Sequence, residues 1–193
     1  MDTDIGSDID DALALIYLAA RPDCRLLGVS TVTGEAEKRA MMASAIGLPA
    51  YTCLSEWNAR CDPHAGAMVY AAPTPSVASI GLDVTTQVHM GAAALRERLL
   101  GVPIARPVLD FMGARTDPEA RVTFHDPLAA AVIFEPGLCH FERGRVEVEL
   151  DSRRLEGLTY FTADASGNDL VALRADGERF FGHFFDALNA DKR

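Results

Sequence analysis

MDTDIGSDIDDALALIYLAA, residues 1–20, crowds Asp2, Asp4, Asp8, Asp10 and Asp11 directly in front of an apolar run. From Asp8 to Ala20 the residues Ala12, Leu13, Leu15, Ile16 and Leu18 to Ala20 are too dense for a surface helix and suit one packed on a sheet. Pro22 ends it. The segment RLLGVSTVTG (residues 25–34) is rich in Val and Thr and closes on Gly34, which reads as a buried parallel strand. EAEKRAMMASAIG (35–47) reads as the next helix, stopped by Gly47. Strand and helix in alternation predict an α/β fold. The acidic stretch then belongs at the carboxyl end of a parallel strand, where open α/β sheets place their ligands. Only Met1 precedes it, so on this reading the first strand is left out.

After Gly47 the rhythm breaks, because LPAYTCLSEWNARCD offers only a few strand-like residues before the polar SEWNARCDP. DPHAGAMVYAAP then reads as a helix with Asp62 as N-cap and Pro63 in the first turn, SVASIGLDV as a strand and VHMGAAALRERLLG as a helix. HDPLAAAVIFEPG is an apolar helix introduced by His125 and Asp126. RVEVELD, LTYFTAD and DLVALRA alternate like strands of an antiparallel edge, and ERFFGHFFDALN is an amphipathic closing helix. With no repeat and no low-complexity linker, residues 1–193 are expected to form a single domain. Its architecture is an open, mostly parallel sheet flanked by helices, with a small antiparallel C-terminal part.

A length of 193 residues suits one domain with its own core, and 49% hydrophobic with 24% charged residues argues against a disordered chain. The net charge of -10 and isoelectric point near 4.9 argue against nucleic acid or an anionic membrane as partner. A small polar ligand or a metal cation suits this balance better. Cys24, Cys53, Cys61 and Cys139 show no CxxC spacing and do not cluster with His at zinc-ligand spacing. No charged-then-apolar leader and no membrane-length apolar run is present, so reduced thiols and a cytoplasmic location are expected.

Three stretches carry chemistry. Carboxylates this close repel, and solvation on a loop, the positive end of the following helix or a bound hard cation can hold them together. Calcium takes about six to eight oxygens and magnesium fewer carboxylates plus water, so both suit the cluster. The glycine and terminal Glu of an EF-hand are not where that loop needs them. In TFHDPLAAAV, adjacent His125 and Asp126 at a helix mouth can supply a general acid and a metal carboxylate. The competing reading makes Asp126 an N-cap before Pro127, with His125 packed at the sheet edge. In SEWNARCDP, Glu56 and Asn58 can face one way from an extended segment and bind adjacent sugar hydroxyls; an ordinary loop around Trp57 competes. A phosphotransferase reading of Asp2-Thr3-Asp4 is disfavoured, since Ile5 and Gly6 follow where that scheme wants Thr or Val.

In combination, DTDIGSDIDDALAL, EWN followed by DP, IGLDVT and FHDPLAAA resemble, in order, the signatures of the inosine-uridine preferring nucleoside hydrolase family. The resemblance runs from Asp2 to about Leu188. It implies hydrolysis of the N-glycosidic bond of small-molecule ribonucleosides with a Ca2+ cofactor that binds the ribose hydroxyls and a water. Carried over by motif, Asp4 is metal ligand and catalytic base, Asp11 and Asp126 are metal ligands, and Asp10 accepts from a ribose hydroxyl. Glu56 and Asn58 hold ribose hydroxyls, and His125 is the proton donor to a purine leaving group. The signature is two residues longer here than the shortest family form, so Asp8 competes with Asp10 and Asp11. The chain also departs from the family pattern by an internal deletion near residues 47–54, and Glu35 stands where many members have asparagine. Such a loss would expose sheet edges that invite pairing into a homo-oligomer. The alternative function is a non-catalytic remnant that binds a cation or nucleoside, or serves as an interaction module.

Overall fold

A computed structural model describes residues 2–3, 9–25, 30–31, 56–74 and 76–189. In chain order its elements begin with β1 (Asp2–Thr3), α1 (Asp10–Ala20), β2 (Ser30–Thr31), α2 (Trp57–Cys61), α3 (Pro63–Ala71) and β3 (Val77–Ser79). There follow α4 (Leu82–Thr85), β4 (His89–Gly91), α5 (Ala92–Leu99), α6 (Arg106–Arg115), β5 (Arg121–Thr123) and α7 (His125–Val132). The chain closes with β6 (Cys139–Val148), β7 (Thr159–Ala163), β8 (Asp169–Ala175) and α8 (Gly177–Asn189). The result is an α/β fold with a mixed, unclosed sheet arrangement flanked by helices. Two compact units divide it: Met1–Thr33, Asp83–Cys139 and Arg174–Arg193 in the first, Gly34–Leu82 and His140–Leu173 in the second.

In the first unit, β1 pairs in parallel with β2, Asp2 opposite Ser30 and Thr3 opposite Thr31. The parallel strand expected in RLLGVSTVTG is thus present at Ser30–Thr31, and the acidic stretch opens on its neighbour. The helix expected over residues 35–47 and the deletion expected near 47–54 lie outside the described residues. Helix α1 buries Leu13, Ala14, Ile16, Tyr17 and Leu18, most of its circumference, as its apolar density demands. It packs on α7 more extensively than any other two described elements pack together, and α8 covers both. Tyr17, Phe124, Phe180 and Phe184 are fully buried there. Tyr17 stacks on Phe184 at 5.6 Å, and Phe124 meets Phe180 and Phe184 edge-on at 5.7 and 5.6 Å. The Tyr17 hydroxyl lies 2.6 Å from His183 Nε2, which gives the buried phenol its partner. Burial pushes Tyr17 up to about 12 and His183 below its ordinary value.

The second unit holds the strand order β3-β8-β6-β7. β3 and β8 are parallel, and β6 and β7 are antiparallel from Gly144 opposite Ala163 to Val148 opposite Thr159. Asp169, buried at the start of β8, accepts the Val146 N–H at 2.8 Å and so ties β8 to β6. Helix α3 starts as its sequence predicts: the Asp62 carboxylate accepts from the Ala65 N–H at 2.9 Å, with Pro63 in the first turn.

Several expectations change. SVASIGLDV is a strand only through Ser79, after which Leu82–Thr85 turns helical. VHMGAAALRERLLG begins as strand β4, because His89–Gly91 finds an antiparallel partner in Arg121–Thr123, and only then becomes helix. DLVALRA is an interior strand between β3 and β6, not an antiparallel edge. Helix α6 escapes the periodicity reading, although Pro107 in its first turn and buried Val108 and Met112, four apart, mark it.

Candidate functional site

Asp10 and Asp11 occupy the first two positions of α1 and are only 7% and 3% exposed. Ile9 precedes them as N-cap and has no side-chain oxygen to satisfy the helix start. Two adjacent carboxylates buried there have the helix N–H groups and dipole as one source of stabilisation, and desolvation and mutual repulsion against them. Of the remaining aspartates in this stretch, Asp4 and Asp8 lie outside the described residues.

His125 and Asp126 open α7, the helix that packs on α1, and both are half-buried. The N-cap is Phe124, so Asp126 sits inside the first turn and the alternative of Asp126 as N-cap is overturned. Phe124 sets this geometry: its ring is wedged among Phe180, Phe181 and Phe184, and its N–H donates to Val88 O at 2.9 Å. A strand register thereby fixes where the helix begins. His125 Nδ1 lies 2.6 Å from the hydroxyl of Thr85, a residue 3% exposed on α4. Sequence reasoning passed over Thr85, which it placed within the IGLDVT stretch without a role.

Glu56 and Asn58 belong to the other unit. The extended segment expected there is instead the short helix α2, with Glu56 at its N-cap. Residues two apart on a helix do not face one way, so the shared orientation inferred from the sequence does not hold. The Glu56 carboxylate accepts the Leu82 N–H, at 3.1 Å from Oε1 and 2.9 Å from Oε2, and Asn58 is exposed. Gly157, with φ of +82°, lets the chain pass so close to α2 that a Cβ there would come within 2.8 Å of the Arg60 Cα. Among the described residues no three His, Cys, Asp or Glu side chains form a group that could hold a metal ion; Asp4, one of the expected ligands, is not among them.

The first unit therefore presents an α/β scaffold with acidic residues at two packed helix mouths and a histidine beside one of them. A family model for the inosine-uridine preferring nucleoside hydrolases matches residues 40–182, and the chain belongs to that family. The match contains Glu56, Asn58, Thr85, His125 and Asp126. The pyrimidine-specific ribonucleoside hydrolase RihA of Salmonella schwarzengrund (strain CVM19633) is 30% identical over 152 residues, 72% of this chain and 49% of the relative. The inosine-uridine preferring nucleoside hydrolase of Crithidia fasciculata is 30% identical over 151 residues, 71% of this chain and 47% of that one. The chain spans about half the length of the curated relatives it matches. In structure it is similar to an inosine-guanosine nucleoside hydrolase, with a TM-score of 0.71 at 16% identity over 97% of each chain, a likeness of fold.

Proposed function

We propose that this chain hydrolyses the N-glycosidic bond of ribonucleosides to free base and ribose, with Ca2+ as cofactor. The observation that carries the reading is the burial of Asp10 and Asp11 at the mouth of α1, on the helix that packs against α7 with its His125–Asp126 start. An all-carboxylate donor set fits a hard cation rather than zinc or copper. Asp11 and Asp126, with Asp4, are the residues that would hold it. Such an ion orients a water and lowers its pKa when bound.

The chain's own residues divide the remaining work. Asp4 takes a proton from the attacking water, whose oxygen bonds to ribose C1′ as the bond to the base breaks. Asp10, Glu56 and Asn58 hold ribose hydroxyls, and Asp8 competes with Asp10 and Asp11 for these places. The anionic surroundings favour the positive charge that develops on the ribose in an oxocarbenium-like transition state. His125 protonates the departing base. No described helix is long and apolar enough to cross a membrane.

Release of ribose from inosine, uridine and a nitrophenyl riboside, with and without a chelator, tests the reading. Chelator-sensitive release is expected; no release at high protein concentration overturns the activity. One observation favours a second reading: the chain spans about half its curated relatives. On that reading it binds a cation or ribonucleoside without turnover, or serves as an interaction module, and calorimetry showing ribose binding without release would support the binding form.

A further inference from the structure

We propose that Thr85 is a positioning residue for His125, holding the proton on Nδ1 so that Nε2 is the nitrogen that exchanges a proton with the leaving base. The inference rests on the reading of His125 as proton donor and assigns a task to a residue that reading leaves unused. Its basis is geometric. The Thr85 hydroxyl and His125 Nδ1 are 2.6 Å apart, and Thr85 is buried. A chain of backbone bonds fixes the pair: the Val88 N–H donates to Thr85 O at 3.0 Å, and the Phe124 N–H donates to Val88 O at 2.9 Å. β4 and β5 then lock the register, with His89 opposite Thr123. Thr85 and the residue preceding His125 are thus bound to the same Val88 backbone. The fully buried Phe124 ring anchors the residue just before His125.

The proton balance selects the direction of this hydrogen bond. When His125 gives its Nε2 proton to the base, the pair of electrons from the broken C1′–N bond leaves with the base, and the ring becomes neutral. For Nε2 to be the exchanging atom, Nδ1 must keep its proton before and after the step. A hydroxyl oxygen accepts from Nδ1–H in both states, so Thr85 need not rearrange during the reaction. Without it the Nδ1–H loses the Thr85 oxygen as acceptor, and the preference for the Nδ1–H tautomer weakens.

The effect should depend on the leaving group. A nucleoside base leaves poorly unless protonated, whereas nitrophenolate leaves as a stable anion and gains little from a general acid. The test compares wild type with Thr85→Val, Thr85→Ser and His125→Ala on inosine and on nitrophenyl riboside, alongside long-range proton–nitrogen NMR of the neutral His125 ring. Expected is a loss in kcat on inosine of at least about tenfold for Thr85→Val, within the range a general acid supplies, with nitrophenyl riboside turnover within about twofold and Thr85→Ser restoring the rate. His125→Ala should show the same selectivity more strongly. If His125→Ala is selective but Thr85→Val lowers both substrates alike, the proposal is overturned while the role of His125 stands. If His125→Ala depresses both equally, the proton-donor reading fails instead. The NMR arm decides without turnover: Nδ1–H in wild type and Thr85→Ser but Nε2–H in Thr85→Val supports the proposal, and Nε2–H in wild type overturns it.

Discussion

Asp164 shows how far a single half-exposed carboxylate can be committed by its neighbours. Its Oδ1 accepts from the Ser166 hydroxyl at 2.7 Å and the Ser166 N–H at 2.8 Å, and its Oδ2 from Arg145 Nε at 2.8 Å. These bonds, those from Ser166 foremost, draw its pKa down to about 2. A depressed carboxylate pKa contributes stability above the unfolded value and loses it as pH falls through the folded one. Between about pH 4 and about pH 2 the wild type should therefore lose more stability than Asp164→Asn, read as denaturant midpoints at each pH. A pH dependence in that window identical for the two proteins would remove the carboxylate's role. Residue chemistry of this kind is only partly legible in a sequence. Asp62 as N-cap can be read because its partner is three residues on, whereas the partner of Glu56 is 26 residues away at Leu82. Thr85 and His125 are 40 apart, so no local spacing announces their contact.

At the scale of elements, the helices were legible where their apolar pattern is strong. α1, α3, α7 and α8 form where Leu13 to Leu18, the Asp62–Pro63 start, Leu128 to Val132 and the Phe-rich tail predict them. Elements that depend on distant pairing were not. His89–Gly91 is strand only because Arg121–Thr123 lies beside it, and β8 is interior only because Val77–Ser79 pairs with it. The helix α8 carries a stability consequence of its own. Phe184 is fully buried and meets Tyr17, Phe124, Phe180 and Phe185 at centroid distances of 5.2 to 5.6 Å. Truncation there leaves a cavity that three helices line. Phe184→Ala should cost about 3 to 5 kcal/mol in equilibrium unfolding, while Gly182→Ala, at an exposed helix position where the added Cβ would meet no atom within 4 Å, should stabilise by up to about 1 kcal/mol. Equal losses for the two would show that α8 is not packed as described.

For the whole molecule, the division into two units separates the two halves of the proposed chemistry. Asp10, Asp11, His125 and Asp126 lie in the first unit, and Glu56 and Asn58 in the second. The proposed cation site thus draws on residues of the first unit alone, and if it binds an ion the binding must appear as stability by mass action even where no substrate is turned over. An ion bound only by the folded state adds RT ln(1 + [L]/Kd), about 2.7 kcal/mol at a hundredfold excess over Kd. For a chain of this size each kcal/mol moves Tm by about 2 to 4 °C. Saturating Ca2+ should thus raise Tm by about 5 to 11 °C over protein held in a chelator. Asp11→Asn and Asp126→Asn should each abolish most of that shift, whereas Glu56→Gln should retain it, because Glu56 is proposed to hold a ribose hydroxyl and not the ion. If the units melt in separate transitions, only the transition of the first unit should move. A Tm unmoved by millimolar Ca2+ would exclude the cation from the acidic stretch, and a shift retained in Asp11→Asn would move the binding site away from α1.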